Sequence, residues 1–93
     1  MAWWETERIK AFTMALIKNY MDLSGRSAFT YRDLRIHYYR NYADHTYDWH
    51  SIERAIRRLA QEGKLTRIRA GKKVYFGFTY EGLAEAQKQG VVA

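Results

Sequence analysis

Hydrophobic spacing divides the chain into four helical segments and one hairpin. From Trp4 to Leu23, the residues Ile9, Phe12, Leu16, Tyr20 and Leu23 recur at intervals of three and four. That period predicts an amphipathic helix with those five side chains inward. Glu5 and Glu7 stand in its first turn, where negative charge meets the positive end of the helix dipole, and Gly25 follows as the left-handed terminating residue. Ser27-Ala28-Phe29 is short and apolar, suited to a stub of strand. Thr30 then offers an N-cap with Asp33 three residues on, a variant of the capping box. The helix it starts, Tyr31 to about Arg40, is expected to bury Tyr31, Leu34 and Tyr38. Its other side carries Ile36 and Tyr39, an apolar pair unusual on a free surface. Asn41 to Tyr47 shows no period.

Asp48 caps a third helix, about 49–62, and Gly63 ends it. At roughly 100° per residue Ile52, Ala55, Ile56 and Leu59 form one inward stripe. His50, Arg54, Arg57 and Gln61 point the opposite way, with Ser51, Glu53 and Arg58 on the flanks. Two short strands follow within about 64–79, Lys64–Arg69 and Lys73–Thr79, joined by Ala70-Gly71-Lys72. The second alternates, with Val74, Phe76 and Phe78 on one face and Tyr75 and Gly77 on the other. In the first, Leu65 and Ile68 differ in parity, which predicts a bulge or twist. Thr79 caps a last helix, Tyr80 to about Gln89, with Leu83 and Ala86 inward. There is no internal repeat, and 93 residues fill one domain spanning 1–93.

Charge changes this picture. Between Arg54 and Lys73 lie eight basic residues and one acid, Glu62, a net +7 against +6 for the whole chain. A solvated surface spreads its charges; a site for a polyanion gathers them, so the window reads as a nucleic-acid footprint. The 47% hydrophobic content and fifteen aromatic residues argue for a folded domain. Without cysteine, disulfides, thiolate zinc sites and cysteine nucleophiles are excluded. Asp44, His45, Asp48 and His50 are close in sequence but straddle a loop and an outward helix position, so no metal is expected. Ser51 beside His50 cannot build a catalytic triad, because neighbouring positions on a helix do not face each other. The six glycines are dispersed, which leaves no phosphate-cradling loop. The expectation is a chain with no cofactor and no enzymatic activity. Its start, Met1 to Glu7, lacks the pattern of a signal peptide, and no apolar run approaches the roughly 20 residues of a membrane span. A soluble cytoplasmic protein without membrane association is expected.

Two stretches carry a family likeness: Ser51-Ile-Glu-Arg-Ala-Ile-Arg-Arg-Leu-Ala-Gln-Glu-Gly-Lys-Leu65 and Val74-Tyr-Phe-Gly-Phe-Thr-Tyr-Glu-Gly-Leu83. With the element order around them, over roughly residues 9–90, the chain resembles the winged helix-turn-helix transcriptional regulators of bacteria, archaea and archaeal viruses. One departure is the long connection from Asn41 to Asp48, where that family usually has a tight turn. The resemblance implies an α+β fold: a three-helix core, a two- to three-stranded hairpin wing and an additional C-terminal helix. It also implies sequence-specific binding of double-stranded DNA by a transcriptional regulator. The third helix would enter the major groove, with His50 and Ser51 at its leading end and Arg54, Arg57 and Arg58 along it. Arg69, Lys72 and Lys73 on the wing would reach phosphates or a minor groove, and Arg26 and Arg32 would meet the backbone at the start of the second helix. Trp3 and Trp4 before the first helix, Val91 and Val92 at the chain's end, and Ile36, Tyr39 and Leu83 are candidates for a homodimer seam. Two alternatives stay open: an interaction module whose basic face grips an acidic protein, and a binder of RNA or of a non-B duplex.

Overall fold

The helix ends fall where the capping residues stand. The computed structural model describes residues 3–42 and 47–90, in the order α1 (Trp3–Ser24), α2 (Tyr31–Asn41), α3 (Trp49–Gln61), β1 (Leu65–Ala70), β2 (Lys73–Phe78) and α4 (Tyr80–Gly90). The Thr30–Asp33 capping box is complete: the Asp33 N–H donates to Thr30 Oγ1 at 3.1 Å, and the Thr30 N–H donates to Asp33 Oδ2 at 3.3 Å. Asp48 Oδ1 accepts from the Ser51 N–H at 2.9 Å and starts α3. Gly63, at φ +79°, ends that helix, and the Lys64 N–H turns back to the Leu59 carbonyl at 2.9 Å. Gly25 closes α1 at φ +72°. Only a residue free of Cβ crowding takes these left-handed positions without cost.

α1 is the central helix. It packs against α2, α3 and α4, and Thr13, Met14, Leu16 and Ile17 are all buried, so its middle is covered around most of its circumference. The single stripe expected from spacing was therefore too narrow. It also ran too far, because Leu23, one residue from the end of the helix, is 70% exposed. Glu7 falls beyond the first turn and bridges Lys10 at 3.1 Å. The α3 stripe is as expected, with Ile52, Ala55, Ile56 and Leu59 buried, and Trp49 joins it. In α2, Leu34 and Tyr38 are buried, Tyr31 is only half-buried, and His37 is buried. These residues, with Phe29, Leu65, Phe76 and Ala86, make one core.

The hairpin pairs in unbroken register from Leu65↔Phe78 to Ala70↔Lys73. No bulge interrupts it. Ile68, whose parity suggested one, instead lies 44% exposed on the outer face beside Tyr75. The turn is two residues, Gly71 and Lys72, with Gly71 at φ +64°. Phe29 pairs with Phe76 along the other edge of β2, through bonds of 2.9 and 2.8 Å, and gives the sheet the rudiment of a third strand. Gly77 is buried there, because a Cβ would come within 3.0 Å of the Ser27 carbonyl oxygen.

Thr79 joins the hairpin to α4 twice. Its hydroxyl donates to the Gly63 carbonyl at 2.6 Å and accepts from the Gly82 N–H at 3.0 Å. Gly82 sits so close to the Lys64 backbone that a Cβ would lie 1.8 Å from its carbonyl oxygen. This explains the Thr-x-x-Gly spacing: one residue caps the helix, and the other lets it approach the strand. Ala86 is fully buried in α4, while Leu83, expected inward, is 37% exposed. The whole is α+β, with four helices and a two-stranded antiparallel sheet among the described residues, and is compatible with a winged-helix layout. Among the described residues no helix is long and apolar enough to cross a membrane.

Candidate nucleic-acid interface

Two elements bring the basic residues together. On α3, the buried stripe directs His50, Arg54, Arg57 and Gln61 outward, and all four are exposed. On the hairpin, strand parity places Arg67 and Arg69 on the same face as Phe76 and Val74, the face turned toward the core at its inner end. The two groups meet at Tyr31. Burial pushes its phenol above the ordinary value, opposed by Arg57, which hydrogen-bonds it, and by the charge of Arg67. The α2 start, the α3 ridge and the strand face thus form a continuous surface.

Most nearby acids are engaged elsewhere, while the charge of Glu53 reaches Tyr31. Glu62, the one acid in the basic window, faces α1 and accepts from Lys10 Nζ at 2.7 Å. Burial works against the charge of Lys10, but Glu62 and Glu7 outweigh it and hold the amine above its ordinary value. Asp48 is spent on its cap; the bond from Ser51 N–H, with His50 and Arg54 nearby, keeps its carboxyl below the usual range. Glu53 has His50 as its neighbour at 3.7 Å. Lys64 leaves the basic group too. It donates to Glu81 at 3.0 Å and to Glu85, which raise its pKa, and so pins α4 to the hairpin. What remains is Arg54, Arg57, Arg58, Arg67, Arg69, Lys72 and Lys73. Among the described residues none of these seven forms an ion pair. Neither Glu53–Arg57 nor Arg58–Glu62, the i,i+4 pairs that would stabilise a merely solvated helix face, is within ion-pair distance among the described residues.

The expected residues separate into three groups. His50, Arg54 and Arg57 lie on the ridge. Ser51 and Arg58 lie on its flank, where with Arg54 they line a small cleft of about 40 Å³ against Thr6, Ile9 and Lys10 of α1. On the hairpin, Arg69 and the turn residue Lys72 extend the basic face, whereas Lys73 pairs with Ala70 and borders a depression with Arg26 and Arg32. Arg67 and Tyr31 were missing from the expected set. Arg67 was legible, since it shares parity with Arg69; Tyr31 was not, because only packing brings it to Arg57.

Of the candidates for association, Trp4 is 48% exposed with the Arg8 guanidinium 5.9 Å from its ring, and Leu83 lies on α4. Ile36 and Tyr39 line a depression with Arg32, Arg35 and Arg40 on the outer side of α2. The side chain of Trp3, and Val91 and Val92, lie outside the described residues, as do Asp44 and His45. Among the described residues no group of three acidic or histidine side chains is placed to hold a metal ion. No family model, curated protein or solved structure matches the chain.

Proposed function

We propose that this chain is a winged helix-turn-helix protein that binds double-stranded DNA with sequence preference and regulates transcription without catalysis. The observation that carries the reading is the set of seven cations on α3 and the hairpin that form no ion pair among the described residues, while Glu62 is tied to Lys10, Asp48 to its cap, and Glu81 and Glu85 to Lys64. Positive charge that outnumbers Asp48 and Glu53 beside it, spread over a helix ridge and a projecting hairpin, suits a groove flanked by two phosphate strands. In this reading α3 lies in the major groove. Arg54 and Arg57 present planar forks that pair with guanine O6 and N7, and His50 meets base edges at the helix start. Arg67, Arg69 and Lys72 hold the flanking backbone. Tyr31, hydrogen-bonded to Arg57, orients it from the side.

The protein would act as a homodimer through α1 and α4. Trp4, Tyr80 and Leu83 are exposed large apolar side chains on those helices, and a second copy would remove them from water. Two copies related by a two-fold axis would read half-sites about 10–10.5 base pairs apart. The test is titration with unrelated duplexes at several salt concentrations. Log affinity should fall linearly with log salt, and one sequence selected from a random pool should bind far above the rest. Affinity that is indifferent to salt removes the proposal; preference for an RNA duplex over DNA of the same sequence redirects it.

A further inference from the structure

A second basic surface runs along α2 to the start of β2; of its cations only Lys73 enters the DNA proposal, while Arg26 and Arg32 were expected at phosphates. Two adjoining depressions, of about 500 and 540 Å³, share Arg32 and Ile36. One runs along the outer side of α2, where Arg35, Tyr39 and Arg40 line it. The other lies between α2 and the start of β2, and there Arg26, Lys73 and Tyr75 complete the wall. Five cations thus line one trough, Arg26, Arg32, Arg35, Arg40 and Lys73, of which only Lys73 belongs to the seven-residue group. The single acid on the wall is Asp33, and its carboxylate is already held by the Thr30 N–H.

The floor is what distinguishes this trough from a phosphate track. Ile36 and Tyr39, three residues apart on one helix face, are 44% and 45% exposed. Arg35 stacks its guanidinium 5.9 Å from the Tyr39 ring, which stiffens both groups. Ile68, 44% exposed, adjoins Tyr75 on the outer face of the sheet and continues the apolar surface beyond the trough. Phosphate offers nothing to an isoleucine. Apolar and aromatic anchors ringed by arginine are the composition of protein interfaces, and a groove of this kind takes an amphipathic helix.

We propose that the α2–β2 trough docks an acidic amphipathic helix of a partner protein. Apolar side chains of that helix at i, i+3, i+4 and i+7 would cover Ile36, Tyr39 and Tyr75. Its Asp and Glu residues would meet the five cations, with arginine favoured over lysine because its fork matches a carboxylate. The occupant is a partner segment rich in carboxylates, because five cations stand on the wall against one acid that is already hydrogen-bonded. Because α3 is not involved, the partner and DNA can be held together.

The probe is a fluorescein-labelled peptide of about 16 residues, with Leu or Phe at the i, i+3, i+4 and i+7 positions and Glu elsewhere. Its controls are a scrambled peptide of identical composition and an oligothymidylate of matching charge. Fluorescence anisotropy should show the patterned peptide binding at least tenfold more tightly than the scrambled one. Substitution of both anchors, Ile36→Ser with Tyr39→Ser, should abolish that difference, while Arg54→Ala with Arg57→Ala should leave it in place. Both anchors are half-exposed, so the doubly substituted protein should keep its circular dichroism spectrum. Amide shifts on peptide addition should cluster at Arg32, Ile36, Tyr39 and Tyr75. Equal binding of patterned and scrambled peptides, shifts confined to α3, or displacement of the peptide by oligothymidylate with loss of the anchor dependence would each overturn the proposal. None of these outcomes bears on duplex binding by α3, which the salt titration tests separately.

Discussion

Gly82 is the residue whose chemistry is least replaceable. Alanine within a helix normally stabilises it over glycine by about 1 kcal/mol. Here the added methyl would lie 1.8 Å from the Lys64 carbonyl oxygen, and the obstacle is backbone. Gly82→Ala should therefore lower stability by about 3 kcal/mol, as overpacking does, with α4 displaced from the hairpin. Urea unfolding measures this, and an unchanged or raised midpoint would show that α4 can shift freely. His37 carries a second residue-level consequence. Its Nε2 lies 2.9 Å from Asn19 Oδ1, and Asn41 Nδ2 donates to Nδ1 at 3.1 Å, so the network suits the neutral ring. Burial accordingly holds its pKa below the ordinary 6.5. The unfolded chain takes up the proton first as pH falls, so this part of the stability is present above 6.5 and drains away below it. The stability gap between the wild type and His37→Gln should narrow from pH 7 to pH 5. A gap that is constant over that range would mean His37 does not titrate differently on folding.

For the elements, the proposed function divides choice from grip between α3 and the hairpin. Arg54 stands mid-helix on the exposed ridge, with no carboxylate in ion-pair reach among the described residues. Arg54→Ala should cost about 1–3 kcal/mol on the preferred duplex and much less on random DNA. Equal losses on both would reassign Arg54 to phosphates. The hairpin makes the complementary contribution. Lys72 stands in the two-residue turn and Arg69 on the strand just before it, positions the proposal assigns to phosphate contact. Each phosphate neutralised adds a slope of about −0.9 to log affinity against log salt. Arg69→Ala with Lys72→Ala should make that slope shallower by up to about 2 units per wing, with the ranking of sequences unchanged. A wild-type slope in the double variant would leave the hairpin charges only as guards of an exposed edge.

For the whole molecule, the question is association. Trp4, Tyr80 and Leu83 expose apolar area on α1 and α4, and Tyr80 is 93% exposed. Sedimentation at micromolar concentration should give the mass of two chains, and Trp4→Ser with Leu83→Ser should give one. If the doubly substituted chain still sediments as two, the seam lies elsewhere, and if the wild type is a stable monomer that fills a single half-site, no seam is needed. Ile36 and Tyr39, expected in the same seam, line the arginine-rich depression for which a different partner is proposed above.

How far the chain could be read without coordinates followed from the range of each interaction. Caps, glycine stops and helix periods act over three or four residues. The Thr30–Asp33 box, the Asp48 cap, the inward stripe of α3 and the alternation of β2 were all visible for that reason. So was the outward ridge of His50, Arg54 and Arg57, because a buried stripe leaves only one opposite face. Covering α1 on several sides, burying Met14 and Ile17 while leaving Leu23 and Ile68 in water, depended on which elements pack where, and local period is silent on that. Pairing was equally non-local. Composition counted eight basic residues in one window; the fold removed Lys64 to α4, tied Glu62 to Lys10 52 positions away, and joined Arg67 to Arg57 through Tyr31. Total charge is a sum over the chain, but an uncompensated charge is a matter of distance, and distances between remote residues exist only once the core has closed.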